Sequence, residues 1–434
     1  PSCLHSLPTM PMRFSLLASL IAALSVFADD NWPEFRGPKG DGHSNATKLP
    51  LTWSDTQNVR WKTAIHDLGW SSPVIWGNQV WVTTATKKGD KCYAVALDRD
   101  SGKIIHDVLL FEVNRPDPKD PFHEWEKFNS YASPTPVIEE GRVYVHFGVS
   151  GTACLDTATG KLLWKRTDLE CNHHRGAGSS PIIYGDMLYL TFDGFDVQYV
   201  IALNKKTGET VWKRDRTYHS PQVGGDARKA YSTPLVITVN DKPLLVSPSA
   251  GATVAYDPKT GEEAWRVVHG GMNASLRPLF GHGKLFTSSS DGGMKLVAVR
   301  PDGTGNVTKT HVDWAYAKGA PNRSSFLLVG DRLLMVNSLG ITSCVGVKDG
   351  KQLNEEKPRL DSKAGEFWAS PILAEDKWYA FDDKGHGFVI SANEKLDVLA
   401  ANKLPAGTRS SPAAVGNALY HRTFTHLYRI EEKK

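Results

Sequence analysis

The phrase "CLDTATGKLLWKR", Cys154–Arg166, recurs along the chain, and that recurrence limits the possible folds more than any other feature. "ALDRDSGKIIHDV" begins at Ala96, "ALNKKTGETVWKR" at Ala202 and "AYDPKTGEEAWRV" at Ala255. All four copies place a glycine at one position: Gly102, Gly160, Gly208 and Gly261. Three carry a tryptophan four residues later, Trp164, Trp212 and Trp265, where the first copy has His106. Self-similarity at such intervals marks a repeat architecture, in which each unit buries its apolar face against the next. Repetition also accounts for the length, because 434 residues exceed one ordinary domain whereas a repeat array grows by adding units.

Each copy closes a longer unit. Upstream stands a Ser/Thr-Pro pair, then an apolar run, a Gly-Asp or Gly-Asn type turn, and a second alternating run. "SSPVIWGNQVWVTT" at Ser71, "ASPTPVIEEGRVYVHF" at Ala132, "SSPIIYGDMLYLTF" at Ser179 and "STPLVITVNDKPLLVS" at Ser232 are the clear cases. Weaker copies begin at Leu276, Ser324, Ala369 and Ser410, which makes eight starts. Short alternating runs separated by Gly, Asn and Asp predict strands joined by tight turns, four antiparallel strands to a unit. The turn glycine is required where φ is positive, and the Asp or Asn that opens the turn hydrogen-bonds its backbone. The tryptophan after the turn is expected to pack between neighbouring sheets.

Four-stranded sheets repeated about an axis make a β-propeller, here all-β with eight blades. After Ser410 only three strands remain, "AAV", "ALYHRT" and "HLYRIE". "NVRWKTAI", Asn58–Ile65, repeats the "LLWKR" phrase with Trp61 in the tryptophan position. That segment is expected to complete the last blade and close the ring, which removes an exposed sheet edge. The expected organisation is a signal segment over 1–28, an N-terminal arm over 29–57 and the propeller over 58–434. Arg13 followed by the apolar run Phe14–Ala28, with Val26 and Ala28 before Asp29, reads as a secretory signal cleaved near Ala28. The first nine residues read as an over-extended gene start. The mature protein is therefore expected in the periplasm or secreted, as a monomer, with no membrane span. A net charge of +4 and the absence of a basic run exclude a nucleic-acid tract. Cys92, Cys154, Cys171 and Cys344 are too scattered for a disulfide scaffold, and Cys154 and Cys344 fall in strand-like stretches as small buried hydrophobes.

The phrase A-L-D-x-x-T-G-x-x-x-W, in its copies at Cys154–Arg166, Ala202–Arg214 and Ala255–Val267, resembles the tryptophan-docking repeat of pyrroloquinoline-quinone (PQQ) type propellers. The arm "NWPEFRGPKGDGHSN", Asn31–Asn45, resembles the start of such propellers in secreted bacterial proteins. That family includes quinoprotein alcohol dehydrogenases and the non-catalytic lipoprotein scaffold of the outer-membrane β-barrel assembly machinery. The resemblance implies the fold strongly and the chemistry weakly. The chain has no adjacent cysteine pair of the kind quinoprotein dehydrogenases carry under their cofactor, and no C-x-x-C-H haem site. PQQ with calcium is therefore an alternative rather than the leading expectation, and no catalytic residue and no metal ligand is assigned. Adjacent His173 and His174 with Cys171 match no recognised zinc spacing. The leading expectation is an exported binding or scaffold module whose partner is a protein, peptide or glycan of the cell envelope.

In a propeller the connections between consecutive blades emerge on one face, around the channel mouth. Three are long here, 114–131, 167–178 and 215–231, and long loops on a rigid scaffold commonly carry binding. Aligning the Ser-Pro pairs places Trp70, Tyr131, Gly178, Tyr231, Ser275, Arg323, Trp368 and Arg409 at equivalent rim positions. Two residues on stand Ser72, Ser133, Ser180, Thr233, Ser325, Ser370 and Ser411. The hydroxyls suit capping of strand starts. The rim suits a planar, sugar-like or anionic group, through stacking and guanidinium pairing, and His173, His174 and Arg175 are expected to overhang it.

Overall fold

The computed structural model describes residues 1, 31–114, 128–218, 225–356, 358–361 and 363–432. The expected signal segment lies outside the described residues, Pro1 apart. Eight antiparallel sheets follow one another along the chain. The first blade comprises Val74–Trp76, Gln79–Ala85, Lys91–Asp98 and Ile104–Glu112. The others begin with Val137–Glu139, Ile182–Tyr184, Leu235–Val239, Leu279–Gly281, Leu327–Val329, Ile372–Ala374 and Ala413–Val415. The eighth blade takes its outer strand from the other end of the chain, where Val59–Ala64 pairs antiparallel with His426–Ile430. The sixth blade has three strands. Its third, Thr342–Gly346, is covered at the outer edge by isolated contacts, in which Asn354 Oδ1 accepts from Cys344 N at 2.9 Å and Leu353 N donates to Cys344 O at 2.8 Å.

The hydrophobic core lies between blades rather than on the axis. Ile182, Tyr189 and Val200 of the third blade, for example, pack with Leu245, Val254 and Tyr256 of the fourth. Across these interfaces the repeated tryptophan does one job. Its indole covers the turn glycine of the next blade, and its Nε1–H donates to the carbonyl three residues before that glycine. Trp61 reaches Arg99 O at 2.9 Å, and Trp164, Trp212 and Trp314 reach Lys205 O, Pro258 O and Val347 O at 3.0 Å each. A Cβ on Gly208 or Gly261 would lie 2.6 Å from the indole above it, and both glycines have positive φ, so no other residue fits the turn. Gly102 lies under Trp61 in the same way, which joins the last blade to the first. In the first blade His106 stands in for the indole, covering Gly160 with Nε2 at 3.2 Å from Thr157 O. Trp265 is the exception: the fifth blade offers no such turn, and Gly305–Asn306 instead pairs parallel with Trp265–Arg266 and covers it.

The arm does not lie along the outside of the ring. It crosses the inner ends of the first strands and blocks the channel. Trp32 exchanges hydrogen bonds with Ile75 of the first blade, and Pro33 O accepts from Ile138 N of the second. Arg277, from the fifth blade, holds Glu34 at 2.9 Å and donates to Phe35 O. Arg36 donates to Phe326 O at 2.6 Å in the sixth blade, and His43–Ser44 pairs parallel with the first strand of the seventh. Gly37, Gly40 and Gly42 all have positive φ, and a Cβ on each would strike Trp32, Arg277 and Arg36 respectively. The glycine-rich wording of the arm is thus the condition for a compact plug.

Candidate functional site

The residue two places before each first strand carries a hydroxyl in seven blades, and these hydroxyls are linked in a ring. Each accepts the backbone N–H of its counterpart in the preceding blade. Ser72 N donates to Thr135 Oγ1 at 3.0 Å, Thr135 N to Ser180 Oγ at 2.9 Å, and Ser180 N to Thr233 Oγ1 at 3.0 Å. The series resumes with Arg277 N to Ser325 Oγ at 2.9 Å, Ser325 N to Ser370 Oγ at 2.9 Å and Ser370 N to Ser411 Oγ at 2.8 Å. Ser411 N to Ser72 Oγ at 3.0 Å closes it. The one blade without a hydroxyl at this place supplies Arg277, the side chain that clamps the plug.

The ring corrects the sequence alignment in the second blade. "ASPTPV" contains two Ser/Thr-Pro pairs, and the member is Thr135, not Ser133. The rim residue of that blade is therefore Ser133, not Tyr131. The Tyr131 ring packs over Gly89 and against the cluster between the first two blades.

Above the ring is a cavity of 180 Å³, floored by Phe35 of the plug. Trp70, Tyr231, Arg323, Trp368 and Arg409 line it together with Arg175 and Phe128. The histidines expected beside Arg175 do not line it. His173 is buried, stacks on Phe192 and meets Cys171 Sγ at 3.6 Å. His174 stacks on Phe195 with centroids 4.3 Å apart. Burial lowers the His173 pKa to about 4 and raises the Cys171 thiol, so the pair stays neutral and is no activated nucleophile. The mean of the "NHHR" loop is aromatic packing that delivers one arginine to the mouth.

The aromatic rim is already occupied by guanidinium. Arg409 Cζ lies 4.4 Å from the Trp70 ring centroid and 4.3 Å from that of Trp368, and Arg323 Cζ lies 4.9 Å from Trp368. Arg175 Cζ is 5.2 Å from the Phe128 ring. Cation–π contact of this kind orients the arginines and limits their loss of entropy on binding a ligand. Two carboxylates stand behind them, Asp291 at 3.1 Å from Arg323 and Asp383 at 3.6 Å from Arg409. Burial lowers the Arg409 pKa and Asp383 opposes that shift. A second cleft of 390 Å³ opens beside the mouth over the sixth and seventh blades, sharing Phe128, Trp368 and Arg409 and adding Arg359, Glu366 and Lys384.

The described residues offer a calcium-anchored quinone no preformed ligand set. Among the described residues no group of three or more His, Cys, Asp or Glu side chains is placed to hold a metal ion. The four described cysteines are single and buried. Arg409 lies against the rings of Trp70 and Trp368, and Arg323 against that of Trp368.

Comparison with known proteins agrees with the ring and divides on function. The family profile described as "Outer membrane protein assembly factor BamB" matches residues 93–238 and 196–434. Quinoprotein ethanol dehydrogenase from Pseudomonas putida is 28% identical over 288 residues, 60% of this chain and 42% of that protein. Its Pseudomonas aeruginosa counterpart is 31% identical over 44% of this chain and 30% of that protein. The chain thus aligns with less than half the length of these relatives. BamB from Moraxella catarrhalis superposes with a TM-score of 0.56 at 12% identity, over 86% of this chain and 99% of that one. Quinohemoprotein alcohol dehydrogenase from Comamonas testosteroni gives 0.61 at 11%, over 93% and 81%. At such identities these structures speak for the fold alone. Repeat phrase, eight-sheet ring and profile together make the chain a member of the PQQ-repeat β-propeller family described as outer membrane protein assembly factor BamB.

Proposed function

We propose that this chain is an exported, non-catalytic propeller, a binding or scaffold module that holds a protein, peptide or glycan of the cell envelope at its channel mouth and acts as a monomer. One observation carries the reading. The channel is blocked from below by the chain's own arm, so the mouth is a blind, preorganised cavity rather than a passage, and its side chains are held by packing from several blades. No helix among the described residues is long and apolar enough to cross a membrane.

The test is the double variant Trp368→Ala, Arg323→Ala. It is expected to lose capture of envelope protein or glycan that the wild type retains, with the melting temperature nearly unchanged. Undiminished capture by the variant contradicts the mouth as the site.

The names of the aligned relatives favour a second reading, a quinoprotein-like alcohol dehydrogenase. It requires that PQQ and calcium bind the purified chain, produce quinone absorbance and support alcohol-dependent dye reduction. The side chains of the mouth support the first reading.

A further inference from the structure

We infer that the mouth selects an anionic group, a carboxylate, sulfate or phosphate carried by the ligand. This rests on the reading that the mouth is where the ligand is held. The inference comes from the polarity of the cavity wall. Six ring hydroxyls line it, Ser72, Thr135, Ser180, Thr233, Ser370 and Ser411. Each oxygen accepts one backbone N–H, and among the described residues none of the six protons is donated to a protein acceptor. One lone pair of each hydroxyl holds the ring together, and its proton is left to donate into the cavity.

The remaining polar groups point the same way. Arg175, Arg323 and Arg409 reach the wall, and among the described residues no Asp or Glu lines it. Asp291 pairs with Arg323 and Asp383 with Arg409. The Tyr231 hydroxyl is buried without a partner among the described residues, and burial keeps it protonated, a further donor. Asn273 Oδ1 is the exception, an acceptor on an amide that donates to Asp291 at 3.2 Å. Three guanidinium groups that line one cavity offer planar N–H forks to an oxyanion.

A neutral sugar fits less well. It brings no charge to answer the three arginines, and the ring faces that Arg409 and Arg323 occupy on Trp70 and Trp368 are closed to pyranose stacking. A structural role for the ring accounts for the accepting oxygens but not for the arginines above them.

The experiment is a titration of the full chain, followed by tryptophan fluorescence because Trp70 and Trp368 flank Arg409. The probes are sodium sulfate, sodium phosphate, sodium acetate and neutral maltotriose, at ionic strength held constant with sodium chloride. At least one oxyanion is expected to give a saturable change, weakened tenfold or more in Arg409→Gln and in Arg323→Gln, with little response to maltotriose. Arg323→Lys, which keeps the charge and the fold but loses the planar fork, is expected to fall between. Which oxyanion responds separates carboxylate, sulfate and phosphate ligands. No saturable response beyond chloride overturns the inference, as does a response that the arginine variants leave unchanged. Saturable maltotriose binding that is lost in Trp368→Ala but kept in both glutamine variants overturns the anion inference and leaves the mouth reading intact.

Discussion

Acidification from pH 7 to pH 4 should unfold the chain cooperatively, with a midpoint between about pH 4 and 6. Four histidines are buried where an imidazolium is deprived of water. Burial lowers the pKa of His146 and His421 to about 3 and that of His173 and His269 to about 4, from an ordinary value of 6.5. His146 is lowered further by the neighbouring His173. The folded values lie below the unfolded ones, so between them the unfolded chain binds more protons. Stability is fully present above the unfolded pKa and falls as the pH drops toward the folded values. Each group contributes about 1.4 kcal/mol per pH unit inside that window, and four together roughly 5 kcal/mol per unit, against total stabilities of about 5–15 kcal/mol for ordinary domains. His66, whose pKa is raised despite desolvation because Asp67 and Asp107 bind it, works in the opposite sense but is one group against four. Circular dichroism against pH measures the transition. His421→Phe, which keeps the ring against Phe381 and removes one titration, should move the midpoint to lower pH. An acid midpoint that His421→Phe leaves unmoved would show that this histidine is not held neutral in the fold.

Trp212→Ala should cost about 3–5 kcal/mol, the usual range for truncating a buried tryptophan. The indole is 8% exposed, lies over Gly261, meets Tyr189 at 6.0 Å between centroids and donates to Pro258 O at 3.0 Å. Removing it opens a void between the third and fourth blades and leaves that carbonyl without its partner. Trp212→His should lose less than the alanine variant, because His106 shows that an imidazole can make the same contact in the first blade. Urea unfolding reads both. Equal midpoints for wild type and Trp212→Ala would deny the tryptophan its role between blades.

The repeat was legible because turn glycine and docking tryptophan are local requirements repeated at a fixed interval. Where either is missing the signal fades. Trp314 makes the same contact on Gly350, yet "VDWAY" and "KDGK" lack the rest of the phrase. The expected four-stranded sixth blade became three strands because Asn354 caps the edge of Thr342–Gly346 where an outer strand would pair. At the mouth, Trp70, Tyr231, Arg323, Trp368 and Arg409 were found from their shared place in the repeat, since equivalent positions in a closed ring share height and radius. Tyr131 was misplaced because two Ser/Thr-Pro pairs stand in tandem and hydrophobic pattern does not choose between them. His173 and His174 were misplaced because loop conformation, not repeat position, aims them. The plug had no local signature of its destination. Its one distant sign is the arginine in a ring of hydroxyls, whose meaning depends on Glu34 and Phe35, over 240 residues away in sequence.

Backbone hydrogen exchange of the full chain, with and without the envelope component it captures, tests the binding reading most directly. The account predicts added protection confined to the mouth, at residues 70–72, 175–180, 231–233, 323–325, 368–370 and 409–411, with the outer strands of the blades unchanged. Protection along the outer strands, with these six segments unaffected, would contradict it and place the partner on the rim of the propeller.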